Sequence, residues 1–131
     1  MLVDDDEPTN FLNKLIIQEA GLTSYICGMQ SAGAALRYFK NRESMPDKGN
    51  FIIPDLILLD INMPGINGWE FLEEFRKLDH DIKSKTKIFV LTSSMNPEDI
   101  EKSKSISEIS GYLTKPLTET MIVSILKTHF S

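Results

Sequence analysis

The sequence predicts an α/β fold, a five-stranded parallel sheet with helices on both faces and the order (βα)5. Three observations carry this expectation. Strand-like and helix-like segments alternate, about five of each, with short links. Leu56 to Leu59 and Ile88 to Leu91 are continuously apolar, as strands covered on both faces must be. Each of those runs stops on a polar residue, Asp60 or Thr92.

Leu2 and Val3 open a very short first strand that runs into Asp4. Pro8 stands where a first helical turn tolerates it. Phe11, Leu12, Leu15, Ile16 and Ala20 follow at helical spacing, and Gly21 suits the stop. Residues 23–28 are rich in β-branched and aromatic types and predict a second strand. Ser31 suits the cap of a second helix whose buried stripe is Ala32, Ala35, Leu36 and Phe39. Residues 43–54, with Pro46, Asp47, Gly49, Asn50 and Pro54, predict a loop. After the third strand, Pro64, Gly65 and Gly68 break the chain before a third helix that buries Phe71, Leu72, Phe75 and Leu78. Asn96 and Pro97 start a mostly polar fourth helix, with Ile100 and Ile106 as its main apolar residues. Gly111 to Thr114 form a short fifth strand ending at Lys115-Pro116. Thr118 caps a last helix that buries Met121, Ile122, Ile125, Leu126 and Phe130.

The totals narrow the function classes. A chain of 131 residues suits one domain with one core. No apolar run approaches the ~20 residues that span a bilayer, and the first residues lack the layout of a signal peptide. A single cysteine, Cys27, forms no internal disulfide, which agrees with a reducing compartment. The expected location is therefore the cytoplasm, away from membranes. A net charge of −5 with scattered basic residues argues against nucleic acid as a direct partner.

In open parallel sheets, ligands bind beyond the carboxyl ends of the strands. The residues at those ends form a coherent chemical set. Strand one ends in Asp4-Asp5-Asp6, strand three in Asp60, strand four in Thr92-Ser93-Ser94 and strand five in Lys115. Crowded carboxylates repel one another, and a hard divalent cation offsets the repulsion. Mg²⁺ takes oxygen ligands and keeps several waters, so two or three carboxylates and a backbone carbonyl hold it without caging it. Lys115 and Thr92 can then meet a phosphoryl group. No Gly-rich phosphate loop follows strand one, so nucleotide binding is not expected. Taken singly, these residues also suit ordinary roles. Acids favour helix starts, an Asp makes Asx turns, and threonine ends many strands. Tyr112 reads equally well as a half-buried strand residue and as a switch. Cys27 and Trp69 read as packing or surface residues, and His80 and His129 show no metal-ligand spacing.

Four motifs in order, covering essentially the whole chain, resemble the receiver domains of two-component response regulators, the CheY-like, flavodoxin-like family. They are Val3 to Asp6 (VDDD), Asp55 to Gly68 (DLILLDINMPGING), Leu91 to Ser93 (LTS) and Gly111 to Pro116 (GYLTKP). The resemblance implies that residues 1–131 are a single receiver domain, a signalling module rather than an enzyme with an outside substrate. It implies Asp60 as the phosphoacceptor, with Lys115 pairing first with Asp60 and then with the phosphoryl group. Mg²⁺, or another divalent cation such as Mn²⁺, would be bound by Asp5, Asp60, the Asn62 backbone carbonyl and Asp4, the last directly or through water. Thr92 would swing toward the phosphoryl oxygen and Tyr112 would rotate inward in response. The peptide bond before Pro116 would be cis. The donor would be a histidine kinase or a histidine phosphotransfer protein, and the output a contact with a downstream protein, usually through the fourth helix, fifth strand and fifth helix.

The sequence departs from the family pattern in three places. Only three residues precede the acidic cluster, the loop at 43–54 is long, and Ser107 to Ser110 replace the small-residue pair before the fifth strand. Two rivals differ by class. A Mg²⁺-dependent phosphohydrolase with an aspartyl nucleophile normally has a second Asp two residues on, whereas this chain has Asn62, which cannot act as an acid. A non-phosphorylated pseudo-receiver tends to lose one of the acidic, Thr or Lys positions, and none is lost here.

Overall fold

The computed structural model describes residues 1–21, 25–47, 49 and 51–130. Five parallel strands form one sheet in the order β2-β1-β3-β4-β5. They are β1 (Leu2–Val3), β2 (Gly28–Met29), β3 (Leu56–Leu59), β4 (Lys87–Thr92) and β5 (Ile109–Thr114). Among the described residues six helices accompany them: α1 (Glu7–Glu19), α2 (Ala32–Ser44), α3 (Gly68–Phe75), α4 (His80–Lys85), α5 (Pro97–Ser105) and α6 (Glu119–His129). The strand order reverses between β1 and β3, which makes their carboxyl ends the topological switch point where such sheets bind ligands. None of the described helices is long and apolar enough to cross a membrane.

Side chains alternate across the sheet, so each apolar strand feeds two cores. Ile57 and Leu59 of β3 face the α2 and α3 side, packed with Ala35, Leu36, Phe39, Phe71, Leu72 and Phe75. Leu58 faces the other side, with Ile17 of α1 and Ile122 and Ile125 of α6. The aromatic centre is tight: the Phe39 and Phe75 rings meet edge-on at 5.8 Å, and Phe71 and Phe75 stack at 6.0 Å.

The predicted caps are present. Ser31 Oγ accepts from Ala34 N at 3.0 Å, Asn96 Oδ1 from Glu98 N at 3.0 Å, and Thr118 Oγ1 from Met121 N at 3.2 Å. Gly21 follows α1 at φ 71°, a left-handed conformation that glycine adopts without a Cβ penalty. Asn67 and Glu70 close a reciprocal capping box at the start of α3.

Several expectations need correction. The second strand is Gly28–Met29 rather than 23–28, of which residues 23 and 24 lie outside the described residues. The second helix runs on to Ser44, so the predicted loop at 43–54 begins later, and its residues 48 and 50 lie outside the described residues. Leu78 is buried but follows α3, and the short helix α4, anchored by Arg42 to Asp79 and Asp81, has no counterpart in the sequence reading. The fifth strand starts two residues earlier, at Ile109. Phe130 is exposed, not buried.

The largest correction concerns α1. Its buried residues are Asn10, Asn13 and Ile17, whereas Phe11, Leu12 and Leu15 are 61%, 57% and 40% exposed. The helix is rotated by about one position from the phase its apolar residues suggest. Backbone hydrogen bonding sets that phase. Asp6 caps the helix, and the Asn10 amide donates to the carbonyls of Asp4 and Met29 at the strand ends. Buried carbonyls demand a donor, and that demand outweighs the burial of a few apolar groups.

Gly68, the first residue of α3, lies hard against the end of β3. A Cβ there would stand 2.6 Å from Ile61 Cα and 2.9 Å from the Asp60 carbonyl oxygen. The obstacle is backbone and cannot swing aside. Gly68→Ala is expected to destabilise the protein by about 1–3 kcal/mol, read as a lower urea midpoint with an unchanged slope.

Candidate functional site

Each of the three consecutive acids after β1 has its own task. Asp4 is buried, and its Oδ1 accepts from Asp6 N at 2.9 Å. Asp5 is exposed at the rim. Asp6 is the N-cap of α1, accepting from the backbone of Thr9 at 3.2 Å and from the Thr9 hydroxyl. Helix capping thus occupies Asp6, while Asp4 and Asp5 stand with Asp60. Asp60 follows β3 directly, 6% exposed, with its backbone N donating to the Val3 carbonyl at 2.9 Å. Its Oδ1 accepts from Asn62 N at 3.1 Å.

Carboxylate oxygens of Asp4, Asp5 and Asp60 lie within 4.8 Å of one another. An octahedral ion with ligands about 2.1 Å away sets neighbouring ligand oxygens about 3.0 Å apart and opposite ones about 4.2 Å apart. The three carboxylates already span nearly that volume, and all their donors are hard oxygens. They fit a divalent cation.

Lys115 completes the cluster from β5. Its Nζ lies 2.6 Å from Asp4 Oδ2 and 3.3 Å from Asp60 Oδ2. Partial burial pulls the Lys115 pKa down, but the Asp4 hydrogen bond and the Asp60 charge outweigh it, and the net shift is upward. The ammonium is therefore held protonated at the switch point. The Lys115 backbone N donates to the Thr92 carbonyl at 2.8 Å, and the Lys115-Pro116 bond is cis.

Thr92 ends β4 and is fully buried. Its Oγ1 accepts from Asn62 Nδ2 at 3.4 Å and from Ser94 N at 3.3 Å. The sequence reading assigned Asn62 only a backbone carbonyl, and its side-chain amide was missed. Tyr112 of β5 is half-buried, and its hydroxyl donates to the Ser94 carbonyl at 2.7 Å. Ser94 in turn donates to Asp99 in the first turn of α5 at 2.7 Å. Ser94 stood in the strand-end set without a role of its own. Asn10 was not singled out, because the apolar residues of α1 mark a different face as buried. His80 is exposed, while His129 packs edge-on against Phe89 at 5.0 Å rather than standing free.

The chain is similar to a two component response regulator from Cytophaga hutchinsonii, with 33% identity and a TM-score of 0.84 over 97% of this chain and 92% of that one. It is 27% identical over 118 residues to the probable methanogenesis regulatory protein FilR2 of Methanothrix harundinacea (strain 6Ac), covering 90% of this chain and 72% of that protein. It is 38% identical over 73 residues to the probable transcriptional regulator ycf29 of Porphyra purpurea, of which it spans 34%. The sequence profile of the response regulator receiver domain matches residues 1–127, and the chain belongs to that family of two-component signalling domains.

Proposed function

We propose that residues 1–131 act as one receiver unit that accepts a phosphoryl group on Asp60. The observation that carries this reading is the bridge of Lys115 between Asp4 and Asp60, beside three carboxylates close enough to share one cation. Receiver domains typically bind Mg²⁺, and here Asp4, Asp5, Asp60 and the Asn62 carbonyl are the residues that would hold it or Mn²⁺. Such an ion, when bound, neutralises charge on the transferring phosphoryl oxygens.

An Asp60 carboxylate oxygen attacks phosphorus and forms an acyl phosphate. The phosphorus–nitrogen bond of a donor phosphohistidine breaks, and its electron pair returns to the imidazole. Lys115 moves from the Asp60 carboxylate to a phosphoryl oxygen, and the Thr92 hydroxyl donates to another. Tyr112 follows as the loop after β4 shifts. The donor is a histidine kinase or histidine phosphotransfer protein, and the readout is a contact with a downstream protein. The domain acts on no outside substrate and works in the cytoplasm, away from membranes and nucleic acid. The donor's seat is the exposed apolar stripe of Phe11, Leu12 and Leu15, because α1 starts directly after the acidic rim and such a stripe marks a protein contact.

Intact mass after incubation with a small-molecule phosphodonor tests the central claim. The expected result is a Mg²⁺-dependent gain of one phosphoryl group that is absent in Asp60→Asn. No gain, with no Mg²⁺ binding, would move the reading to a pseudo-receiver. Leu12→Glu is expected to leave that reaction unchanged but to slow transfer from a purified phosphohistidine protein by about tenfold or more, the scale of one hot-spot residue. Equal transfer rates would remove α1 as the seat. The raised Lys115 pKa also has a stability consequence. A cation favoured in the folded state contributes fully below the unfolded lysine value of about 10.4 and less as pH rises through the folded value. The stability gap between the protein and Lys115→Met, measured by urea unfolding, is expected to be constant from neutral pH to about pH 10 and to shrink above it. A gap that grows with pH above neutrality would contradict the pairing.

A further inference from the structure

The parallel ladder between β1 and β2 does not end on a backbone bond. Its final rung is made by a side chain. Asn10, in the second turn of α1 and 8% exposed, donates from Nδ2 to the Asp4 carbonyl at 3.1 Å and to the Met29 carbonyl at 3.2 Å. The Met29 carbonyl already accepts from Asp4 N at 3.0 Å. One amide therefore gathers the ends of two strands. Gly28 sits opposite, where a Cβ would make ordinary contact with the Asn10 side chain at 3.6 Å. Among the described residues Asn10 Oδ1 is buried with no hydrogen-bond partner, so the residue serves as a donor. An aspartate of the same shape would set a carboxylate against two carbonyls.

The peptide unit held by Asn10 is the one that joins Asp4 to Asp5. Asp4 is buried and fixed by Lys115 and Asp6 N, whereas Asp5 is exposed. This peptide carries the Asp5 N–Cα bond, so its orientation bears on where the Asp5 side chain leaves the backbone. We propose that Asn10 is a positioning residue for the acidic rim. It fixes the Asp4–Asp5 peptide plane so that Asp5 faces Asp4 and Asp60 at cation-binding separation. The proposal rests on the reading of that rim as a divalent-cation site. It assigns a metal-affinity role to a residue that touches no metal, acting through the backbone, and it explains why a polar side chain occupies the buried face of α1 while Phe11 and Leu12 are left outside.

Isothermal titration of Mg²⁺ into the intact protein, beside thermal melts, tests this. Asn10→Leu keeps the volume and removes the donor. It is expected to weaken Mg²⁺ binding by about 10- to 100-fold, the range for residues that orient a metal's ligands. Ile17→Ala, on the same buried helix face but in the apolar core, is expected to lower the melting temperature and leave the Mg²⁺ affinity of the folded protein unchanged. That pair separates positioning from a merely structural role. If Asn10→Leu does not fold, Asn10→Ser, whose hydroxyl is too short to reach both carbonyls, is measured instead with the same expected weakening. Equal Mg²⁺ affinities for the protein and a folded Asn10 variant would overturn the role of Asn10 while leaving the cation site intact. A protein that binds no Mg²⁺ would overturn both.

Discussion

The ammonium of Lys115 sits between two carboxylates that would be costly to bury without it. Asp4 and Asp60 are 4% and 6% exposed, and an uncompensated buried charge costs on the order of several kcal/mol per ion. Their partner has to come from a distance. In the order β2-β1-β3-β4-β5, the residue that ends β5 is two strand spacings from β3, about 9.5 Å. Only a long side chain spans that gap, and it must pass the end of β4, where Thr92 is small. The identities at the four strand ends are thus linked by geometry: acids after β1 and β3, a small hydroxyl after β4, a lysine after β5. A change at any one of them alters the electrostatic balance of the others.

That linkage explains how much of the molecule was legible in the sequence. Strands β3 and β4 were clear because continuous apolar runs have few other uses, and the polar residues that stop them mark the rim. The caps at Ser31, Asn96 and Thr118 were clear because each follows a local rule. The exceptions share one cause, a demand made by residues far away in the chain. The phase of α1 is set by two strand-end carbonyls, one of them Met29, nineteen positions from Asn10. Helix α4 is held by Arg42 of α2, and a six-residue segment as polar as His80 to Lys85 carries no periodic signal of its own. The two-residue strand β2 is defined by its pairing with β1 rather than by its composition. Site residues followed the same division. Charged groups at strand ends were found, while the side-chain amides that orient them were not, because an asparagine facing a carbonyl looks like any other polar residue in a row of letters.

The contacts that attach α5 differ in kind from those that build the core. Ser103 is the buried residue of that helix. Ile106 at its C-cap packs on the core, but its other links are polar: Lys102 lies 4.8 Å over the Trp69 ring, and Ser94 pairs with Asp99. Just beyond its end, Arg76 pairs with Glu108 at 2.7 Å. Exposed pairs of this sort contribute about 0–1 kcal/mol each and exchange readily with water. The element is therefore among the parts of the fold that cost least to move.

This weakly held element is also wired to the site. Asn62, two residues from Asp60, donates to Thr92 Oγ1, and the same oxygen accepts from Ser94 N. Ser94 then holds both Tyr112 of β5 and Asp99 of α5. On the proposed function, a phosphoryl group on Asp60 would bring acceptor oxygens that compete for the Thr92 hydroxyl. Drawing Thr92 toward them would weaken its acceptance from Ser94, and with it the hold on Tyr112 and Asp99. No long-range strain is required, because each step exchanges one hydrogen bond for another of similar strength. The energy to shift α5 would then come from charge-assisted bonds added at Asp60. A polar, weakly packed helix beside a rigid apolar sheet is thus the arrangement in which a local change of charge can alter a distant surface without loosening the core.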